Sequence, residues 1–143
     1  MIEVKEITAQ ETYNIRQEIL RKNIDLPVQF SGDFDANTFH LGVYEDAILV
    51  GISSFMKTSN AAFDSEQYQL RGMATIVNAR GKGYGRLMLN KAFEILKERG
   101  VNLMWCNARE VALDFYVKQG FHMKGKPFDI KGIGIHLVLF KKV

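Results

Sequence analysis

The sequence predicts one α/β domain over residues 1–143: an α+β mixed sheet with helices on both faces, in the order β-α-β-β-β-α-β-α-β-β. Three observations predict it. The 143 residues are 47% apolar and 24% charged, as in an ordinary globular domain. Strand-like apolar runs alternate with segments of helical period. A glycine-rich turn, Arg80–Gly85, joins a predicted strand to a predicted helix.

The first part of the chain predicts a strand, a helix and a hairpin. Residues 2–7 alternate apolar and charged side chains, as a strand does. Thr8–Glu11 has the spacing of a capping box and predicts a helix that ends near Lys22. The weakly periodic stretch Asn23–Asn37 predicts a long loop or a short irregular helix. A hairpin follows, with strands over 38–44 and 47–56.

The remaining elements surround the glycine-rich turn. A strand over 68–77 precedes it, and Gly72 within that strand predicts a bulge or a close approach of backbone. The helix after the turn ends at Gly100. The later elements are a strand over 101–106, a helix over 109–119 and two strands over 122–126 and 133–141, with a turn at Pro127–Gly132.

Composition narrows the class of protein. Nineteen Lys and Arg against sixteen Asp and Glu give a net charge of +3, which mildly favours an anionic partner. The single cysteine, Cys106, lies in an apolar run and predicts a buried thiol in a reducing compartment. One Cys and three scattered His offer almost no material for a zinc site, so no metal is expected. We expect a cytoplasmic protein that does not span a membrane, because no secretory signal or long apolar segment is present.

The glycine-rich turn predicts an anion site. Glycines let backbone amides approach a ligand closely, and the start of the following helix adds partial positive charge. Arg80, Lys82 and Arg86 add donors around the same turn. The pattern lacks the Gly-Lys-Ser/Thr ending of a nucleotide-triphosphate P-loop and the third glycine of a dinucleotide fingerprint. A phosphate-bearing ligand held mainly by backbone is therefore predicted, with a simple tight turn as the alternative.

The strand and turn carry a family resemblance. Leu70–Thr75 leading into Arg80–Gly85 resembles the acetyl-CoA motif of the GCN5-related N-acetyltransferases, the GNAT family. Its Arg/Gln-x-x-Gly-x-Gly/Ala core is matched by Arg80, Gly83 and Gly85. The resemblance implies the acyl-CoA N-acyltransferase fold, with a splayed central sheet. It also implies acetyl-CoA as co-substrate.

A second motif strengthens the resemblance. Arg109–Tyr116 followed by Gly120-Phe121 resembles the family signature in which an Ala and a Phe-Tyr pair precede Gly-Phe. The two motifs cover about 68–121, and the N-terminal third is matched by element order only. Trp105–Arg109 and Gly132–His136 resemble a branch of the family that acts on small molecules.

The resemblance implies a set of cofactor-binding residues. Backbone of the strand at Met73 and Thr75 would pair with the pantetheine arm, the turn would hold the pyrophosphate, and Lys82 would reach a terminal phosphate. Arg109 stands where many relatives carry Asn, so Asn107 is a candidate for that polar contact and Arg109 for an acidic substrate or a structural salt bridge. The full set is Met73, Ala74, Thr75, Arg80, Gly81, Lys82, Gly83, Tyr84, Gly85, Arg86, Asn107, Arg109 and Phe115.

The resemblance places a general acid at Tyr116. Without it, an aromatic residue at the edge of the core is the simpler interpretation. The general base is open, because Gln69 and Arg71 occupy the strand positions where relatives often carry Glu or His, and neither accepts a proton usefully. The candidates are His136 and Glu66, with a structural histidine and proton loss through water as alternatives.

These residues predict an N-acetyltransferase that acts by direct attack of an amine on acetyl-CoA. The acceptor is expected to be a small molecule with a primary amine, selected partly by Asn23–Asn37. One alternative is a CoA-binding regulator without turnover. A nucleic-acid-binding module is a weaker alternative, because the basic residues lack accompanying stacking motifs. The C-terminal edge strand could pair in a homodimer.

Overall fold

The computed structural model describes residues 1–143 and contains a seven-stranded mixed sheet with three α-helices. The predicted order of strands and helices is confirmed. The strands, in sheet order β1-β2-β3-β4-β5-β7-β6, are β1 (Ile2–Ile7), β2 (Phe39–Glu45), β3 (Ile48–Met56), β4 (Gln67–Thr75), β5 (Leu103–Arg109), β6 (His122–Ile130) and β7 (Gly134–Lys142). Only β4 and β5 pair in parallel.

The helices begin and end where local signals place them. Helix α1 (Ala9–Ile15) starts at the Thr8 capping box and continues as a π-helical turn, Arg16–Leu20. Helix α2 (Tyr84–Glu98) follows the glycine-rich turn. Helix α3 (Leu113–Lys118) ends in a Schellman motif, in which the Phe121 amide donates to the Tyr116 carbonyl at 3.0 Å. None of these helices is long and apolar enough to cross a membrane.

The sheet has a helix layer on each face, as predicted. On one face, Ile15 of α1 packs against Ile52 of β3 and Ala74 of β4. On the other face, the apolar stripe of α2 joins the main core cluster, and Met88 and Leu96 are fully buried there. Neighbouring residues of a strand therefore face different layers, which determines the side on which each candidate residue lies.

The sheet opens between its two parallel strands. Their ladder contains three residue pairs and ends at Gln69 and Trp105. In β4, Gly72 and Met73 stand opposite a single residue of β3, and Gly72 has φ +62°, as in the predicted bulge. Beyond Gln69 the edge of β4 that faces β5 has no strand partner. This opening creates a slot in the middle of the sheet.

Two predicted boundaries are wrong. Strand β6 runs through Pro127 to Ile130, so the predicted turn at Pro127–Gly132 shrinks to Lys131–Ile133. A proline is tolerated there because β6 is an edge strand and its register shifts between Lys124 and Phe128. Strand β5 extends to Arg109, and the predicted helix at 109–119 begins only after a 3-10 turn at Glu110–Ala112.

A buried polar network fixes the long loop between α1 and β2. Two Arg16 nitrogens donate to the two carboxylate oxygens of Asp33 at 2.8 and 3.0 Å, and both side chains are fully buried. Arg16 also donates to Ser54 at 2.9 Å, and Ser54 lies 2.7 Å from His40 Nδ1. His40 Nε2 lies 3.0 Å from the Asp33 carbonyl, which can only accept. Nε2 therefore carries a proton. Because burial lowers the pKa of His40 below 6.5, the ring is neutral at pH 7, and Nδ1 then accepts from the Ser54 hydroxyl.

The network makes stability depend on pH. Burial lowers the pKa of His40, so the unfolded chain binds a proton there more readily than the folded chain. We expect the free energy of unfolding to fall as pH drops below about 6.5, where an unfolded histidine titrates. Burial raises the pKa of Asp33, but hydrogen bonds from Arg16 and the Phe30 amide outweigh burial and lower it overall. Stability from Asp33 is present above about pH 4 and is lost at lower pH.

Chemical denaturation of the His40→Gln variant between about pH 7 and about pH 5 checks the histidine contribution. The variant should lose much of the wild-type decline in stability across this window. A His122→Gln variant, altered at an exposed histidine of β6, should keep it. If the free energy of unfolding of His40→Gln fell with pH as steeply as that of the wild type, His40 would not be the cause of the decline.

Candidate active site

The slot between β4 and β5 contains a cavity of about 280 Å³. Its walls come from the end of the π-helical turn, the loop after it, both strands, the 3-10 turn before α3, α3 itself and the β6–β7 hairpin. The lining residues are Leu20, Arg21, Phe30, Gln69–Met73, Cys106–Arg109, Val111, Ala112, Tyr116, Ile130, Ile133 and His136. The fold therefore brings together the candidates Met73, Asn107, Arg109, Tyr116 and His136.

The glycine-rich turn presents a row of free amides. The backbone amides from Gly81 to Arg86 donate no hydrogen bond within the chain, and the first internal bond of α2 runs from Leu87 to the Gly83 carbonyl at 3.1 Å. Gly83 is the N-cap and offers no side-chain oxygen. The first turn of α2 contains no acidic residue. Free amides and the positive end of a 15-residue helix make this turn suited to an anion.

Glycine is required in this turn for two physical reasons. Gly81 and Gly83 have φ +77° and +82°, a conformation that costs other residues roughly 1–2 kcal/mol. At Gly85 a Cβ would lie 2.9 Å from the Phe115 ring, so that ring would have to shift to admit a side chain. The same Cβ would lie 3.5 Å from Sδ of Met73, which also lines the cavity. Met73 therefore connects the glycine-rich turn to the cavity.

The side chains of the turn have distinct surroundings. Arg80 and Arg86 are exposed, and Arg80 Nε lies 3.4 Å from the Thr75 carbonyl. Lys82 forms a salt bridge of 2.9 Å with Glu45. Tyr84 is buried and donates its hydroxyl to the same carboxylate, so hydrogen bonds from Tyr84 and Lys82 hold the pKa of Glu45 low. The Tyr84 side chain thus anchors the turn to β2, and only its backbone belongs to the anion site.

Tyr116 presents a protonated hydroxyl to the cavity. Its side chain is 8% exposed and lines the cavity, and no group of the chain hydrogen-bonds to its hydroxyl. The Phe115 and Phe121 rings contact it edge-on at 5.0 and 5.2 Å. Burial, and to a lesser extent the neighbouring Cys106, raise the pKa of Tyr116 well above 10. The hydroxyl can therefore donate a proton at physiological pH.

His136 lines the same cavity, and one of its ring nitrogens is free to accept a proton. Nδ1 lies 2.8 Å from the Gly134 carbonyl, which can only accept a hydrogen bond, so Nδ1 carries the proton. Nε2 has no hydrogen-bond partner in the chain, and its lone pair is available whenever that nitrogen carries no proton. The ring is 5% exposed and lies 6.0 Å from the Phe128 ring. His136 can therefore act as a proton acceptor.

The other candidate base is not at the cavity. Glu66 is exposed and forms a salt bridge of 3.6 Å with Lys57. Gln69 and Arg71 do line the cavity, but neither side chain accepts a proton usefully. Two lining residues, Arg21 and Phe30, were not singled out from the sequence. Arg21 lies at the end of the predicted helix and Phe30 in the weakly periodic stretch Asn23–Asn37, and no local pattern marks either residue as part of a site.

Known proteins resemble this chain in sequence and in fold. The family described as the acetyltransferase (GNAT) family matches residues 3–121. The uncharacterized N-acetyltransferase YitI of Bacillus subtilis strain 168 is 40% identical over 143 residues, which are 99% of this chain and 96% of YitI.

Solved structures share the fold. ElaA of Escherichia coli aligns with a TM-score of 0.82 and 16% identity, over 99% of each chain. The PaiA N-acetyltransferase of Thermoplasma acidophilum, solved in complex with coenzyme A, aligns with a TM-score of 0.70 and 16% identity, over 100% of this chain and 99% of PaiA. The chain belongs to the GNAT family of acetyltransferases.

Proposed function

We propose that this enzyme transfers the acetyl group of acetyl-CoA to a primary amine of a small molecule, by direct attack within a ternary complex. The observation that carries the proposal is the continuity of two sites. The free amides of Gly81–Arg86 lie at the start of α2, and Met73 connects them to the cavity that contains Tyr116 and His136. One extended ligand, with a phosphate group at one end and a reactive group at the other, fits this arrangement.

The residues present fit coenzyme A. Its pyrophosphate matches the free amides of the turn and the exposed Arg80 and Arg86. The pantetheine arm matches the unpaired edge of β4 at Met73–Thr75, where β5 has separated. The salt bridge of Lys82 with Glu45 is half exposed, so Lys82 is free to exchange that partner for a terminal phosphate. PaiA, which shares the fold, binds coenzyme A.

The chain supplies a proton donor and a proton acceptor. Acetyl-CoA, when bound, supplies a thioester whose acetyl group an amine nitrogen can take with release of the CoA thiol. The Tyr116 hydroxyl donates a proton to the departing sulfur. His136 Nε2 accepts a proton from the attacking amine, which must be neutral to react. The backbone amides of Met73 and Thr75, on the edge of β4 that faces the slot, are the donors available to a developing oxyanion.

Cys106 favours direct transfer over a covalent acetyl-enzyme. It lines the cavity, but burial raises the pKa of its thiol to about 12. At neutral pH the nucleophilic thiolate is therefore a minute fraction. This free, buried thiol also fits the proposed cytoplasmic compartment. We propose one functional domain over 1–143.

Release of CoA thiol from acetyl-CoA, measured with a panel of small primary amines, tests the proposal. We expect release that depends on the amine, equal amounts of acetylated amine by mass spectrometry, and no acetyl adduct on the intact protein. A stable adduct in the absence of amine would contradict direct transfer. Acetyl-CoA binding without transfer to any amine would instead favour the CoA-binding regulator.

A further inference from the structure

Three arginines line one side of the cavity. Arg71 lies on β4 opposite Ser54, which contacts Arg16 on the α1 face of the sheet. Arg109 ends β5 and alternates with Ala108, which belongs to the core cluster beneath α2. Arg21 directly follows the π-helical turn. The arginines thus lie on the α1 side, whereas the glycine-rich turn starts the helix on the opposite face.

No carboxylate forms a salt bridge with any of these three side chains. Asp33 is the nearby acid, but Arg16 occupies both of its oxygens and the Phe30 amide donates to Oδ2 at 2.9 Å. Arg71 and Arg109 make no hydrogen bond or salt bridge within the chain. Arg21 donates only to backbone carbonyls, including that of Pro27 at 3.1 Å. The donors of Arg71 and Arg109 are therefore free for a ligand.

The positive charges are held close together. The guanidinium carbons of Arg71 and Arg21 lie 4.4 and 5.3 Å from the centre of the Phe30 ring. Burial, then the charges of Arg109 and Arg16, lower the pKa of Arg21. Burial, then the charge of Arg16, lower the pKa of Arg71, and the Asp33 charge opposes them only in part. An arginine remains charged despite such shifts, so this side of the cavity carries uncompensated positive charge.

We propose that the acceptor amine also carries a carboxylate, and that Arg71 and Arg109, assisted by Arg21, bind this carboxylate. The inference rests on the proposed acetyl transfer, whose acceptor class it specifies. A guanidinium offers paired N–H donors that match the two oxygens of a carboxylate. The Phe30 ring supports the Arg71 guanidinium and limits its freedom before the ligand binds. The acceptor class is therefore that of amino acids and related amino carboxylates.

The same charges assist the chemistry. A protonated amine cannot attack a thioester, and an alkylamine is protonated at neutral pH. Nearby positive charge disfavours the ammonium form and lowers the pKa of an amine bound beside it. Anchoring through the carboxylate thus delivers the amine, with its pKa lowered, toward His136 Nε2. Arg71, Arg109 and Arg21 act here as specificity-determining residues.

Matched pairs of ligands test this inference. Transfer rates are compared for L-amino acids and for their carboxamides, which keep the α-amine but lose the negative charge. We expect one or more acids to be acetylated with a kcat/KM about 10-fold or more above that of the carboxamide. Arg71→Gln and Arg109→Gln should each remove this preference by raising KM for the acid. Arg71→Lys keeps the charge but not the paired donors, so it should retain part of the preference for the acid that Arg71→Gln removes. Lys97→Gln, altered at an exposed residue of α2, should change neither ligand's kinetics.

A binding measurement separates this inference from the proposed function. N-acetyl-L-amino acids and their carboxamides are titrated calorimetrically into the protein with CoA present, which requires no turnover. Binding of an acid that weakens in Arg71→Gln supports the inference even if no transfer is seen. Equal affinity for acid and carboxamide, or no binding of any acid, would overturn it. Transfer to amines that lack a carboxylate, unaffected by either arginine variant, would overturn it while leaving acetyl transfer intact.

Discussion

Tyr116→Phe is expected to lower kcat for acetyl transfer by roughly 10²- to 10⁴-fold, the usual contribution of a positioned general acid. The substitution removes a hydroxyl that has no partner in the chain and leaves its aromatic contacts with Phe115 and Phe121 in place. The affinity for acetyl-CoA and the thermal stability should therefore change little. Steady-state kinetics together with calorimetric titration separate the two effects.

The pH dependence gives a second readout of the same group. Because burial raises the pKa of Tyr116 well above 10, the wild-type kcat should not fall through loss of this proton below about pH 10. Tyr44→Phe is the matched control, since it removes a hydroxyl that contacts Glu11 away from the cavity. A kcat within about threefold of wild type in Tyr116→Phe would exclude Tyr116 as the acid.

Arg16→Met is expected to reduce the free energy of unfolding by about 3–5 kcal/mol, because it leaves the Asp33 carboxylate buried without its partner. The loop that carries Phe30 depends on the same pair, since Asp33 also accepts from the Phe30 amide. Denaturant titration measures the effect. Adding Asp33→Leu to Arg16→Met should recover a large part of the loss, because the second substitution removes the unpaired buried charge.

An exposed pair provides the control for this prediction. Lys91 and Glu94 on α2 approach to 3.9 Å at the surface, and Lys91→Met should cost no more than about 1 kcal/mol. A loss of that small size in Arg16→Met would mean that the buried pair contributes little. A double variant no more stable than Arg16→Met would show that the loss does not arise from the isolated Asp33 charge.

Local patterns explain why much of the fold was predictable. The Thr8 capping box, the bulge at Gly72 and the glycine-rich turn each occupy a few consecutive residues, and each occurs in the structure where the sequence placed it. The strands alternate or run apolar according to which faces they bury. The exceptions, at Pro127 and Arg109, depend on which strand forms the edge of the sheet and where a strand partner ends, and neither is a local property.

The candidate site was only partly predictable for the same reason. Tyr116 and the glycine-rich turn belong to compact motifs, so the sequence could identify them. The network of Arg16, Asp33 and His40 joins three segments. Its two charged members are 17 positions apart, and no spacing rule identifies such a contact. The arginines that line the cavity likewise come from an irregular loop and two strands. Only the folded sheet shows that these arginines line the same side of the cavity.

Calorimetric titration with acetyl-CoA tests the central claim most directly, with NADH and ATP as control ligands. Two variants, Gly81→Ala and Gly100→Ala, make the test specific to the glycine-rich turn. Gly81 and Gly100 have similar φ values of +77° and +74°, and a Cβ at either position would meet no atom within 4 Å. Both should lose similar stability, but Gly100 lies beyond the C-terminal end of α2, away from the free amides. We predict selective binding of acetyl-CoA that weakens about 10-fold or more in Gly81→Ala and is unchanged in Gly100→Ala. A folded protein that binds NADH or ATP but not acetyl-CoA, or equal affinity in both variants, would contradict the account.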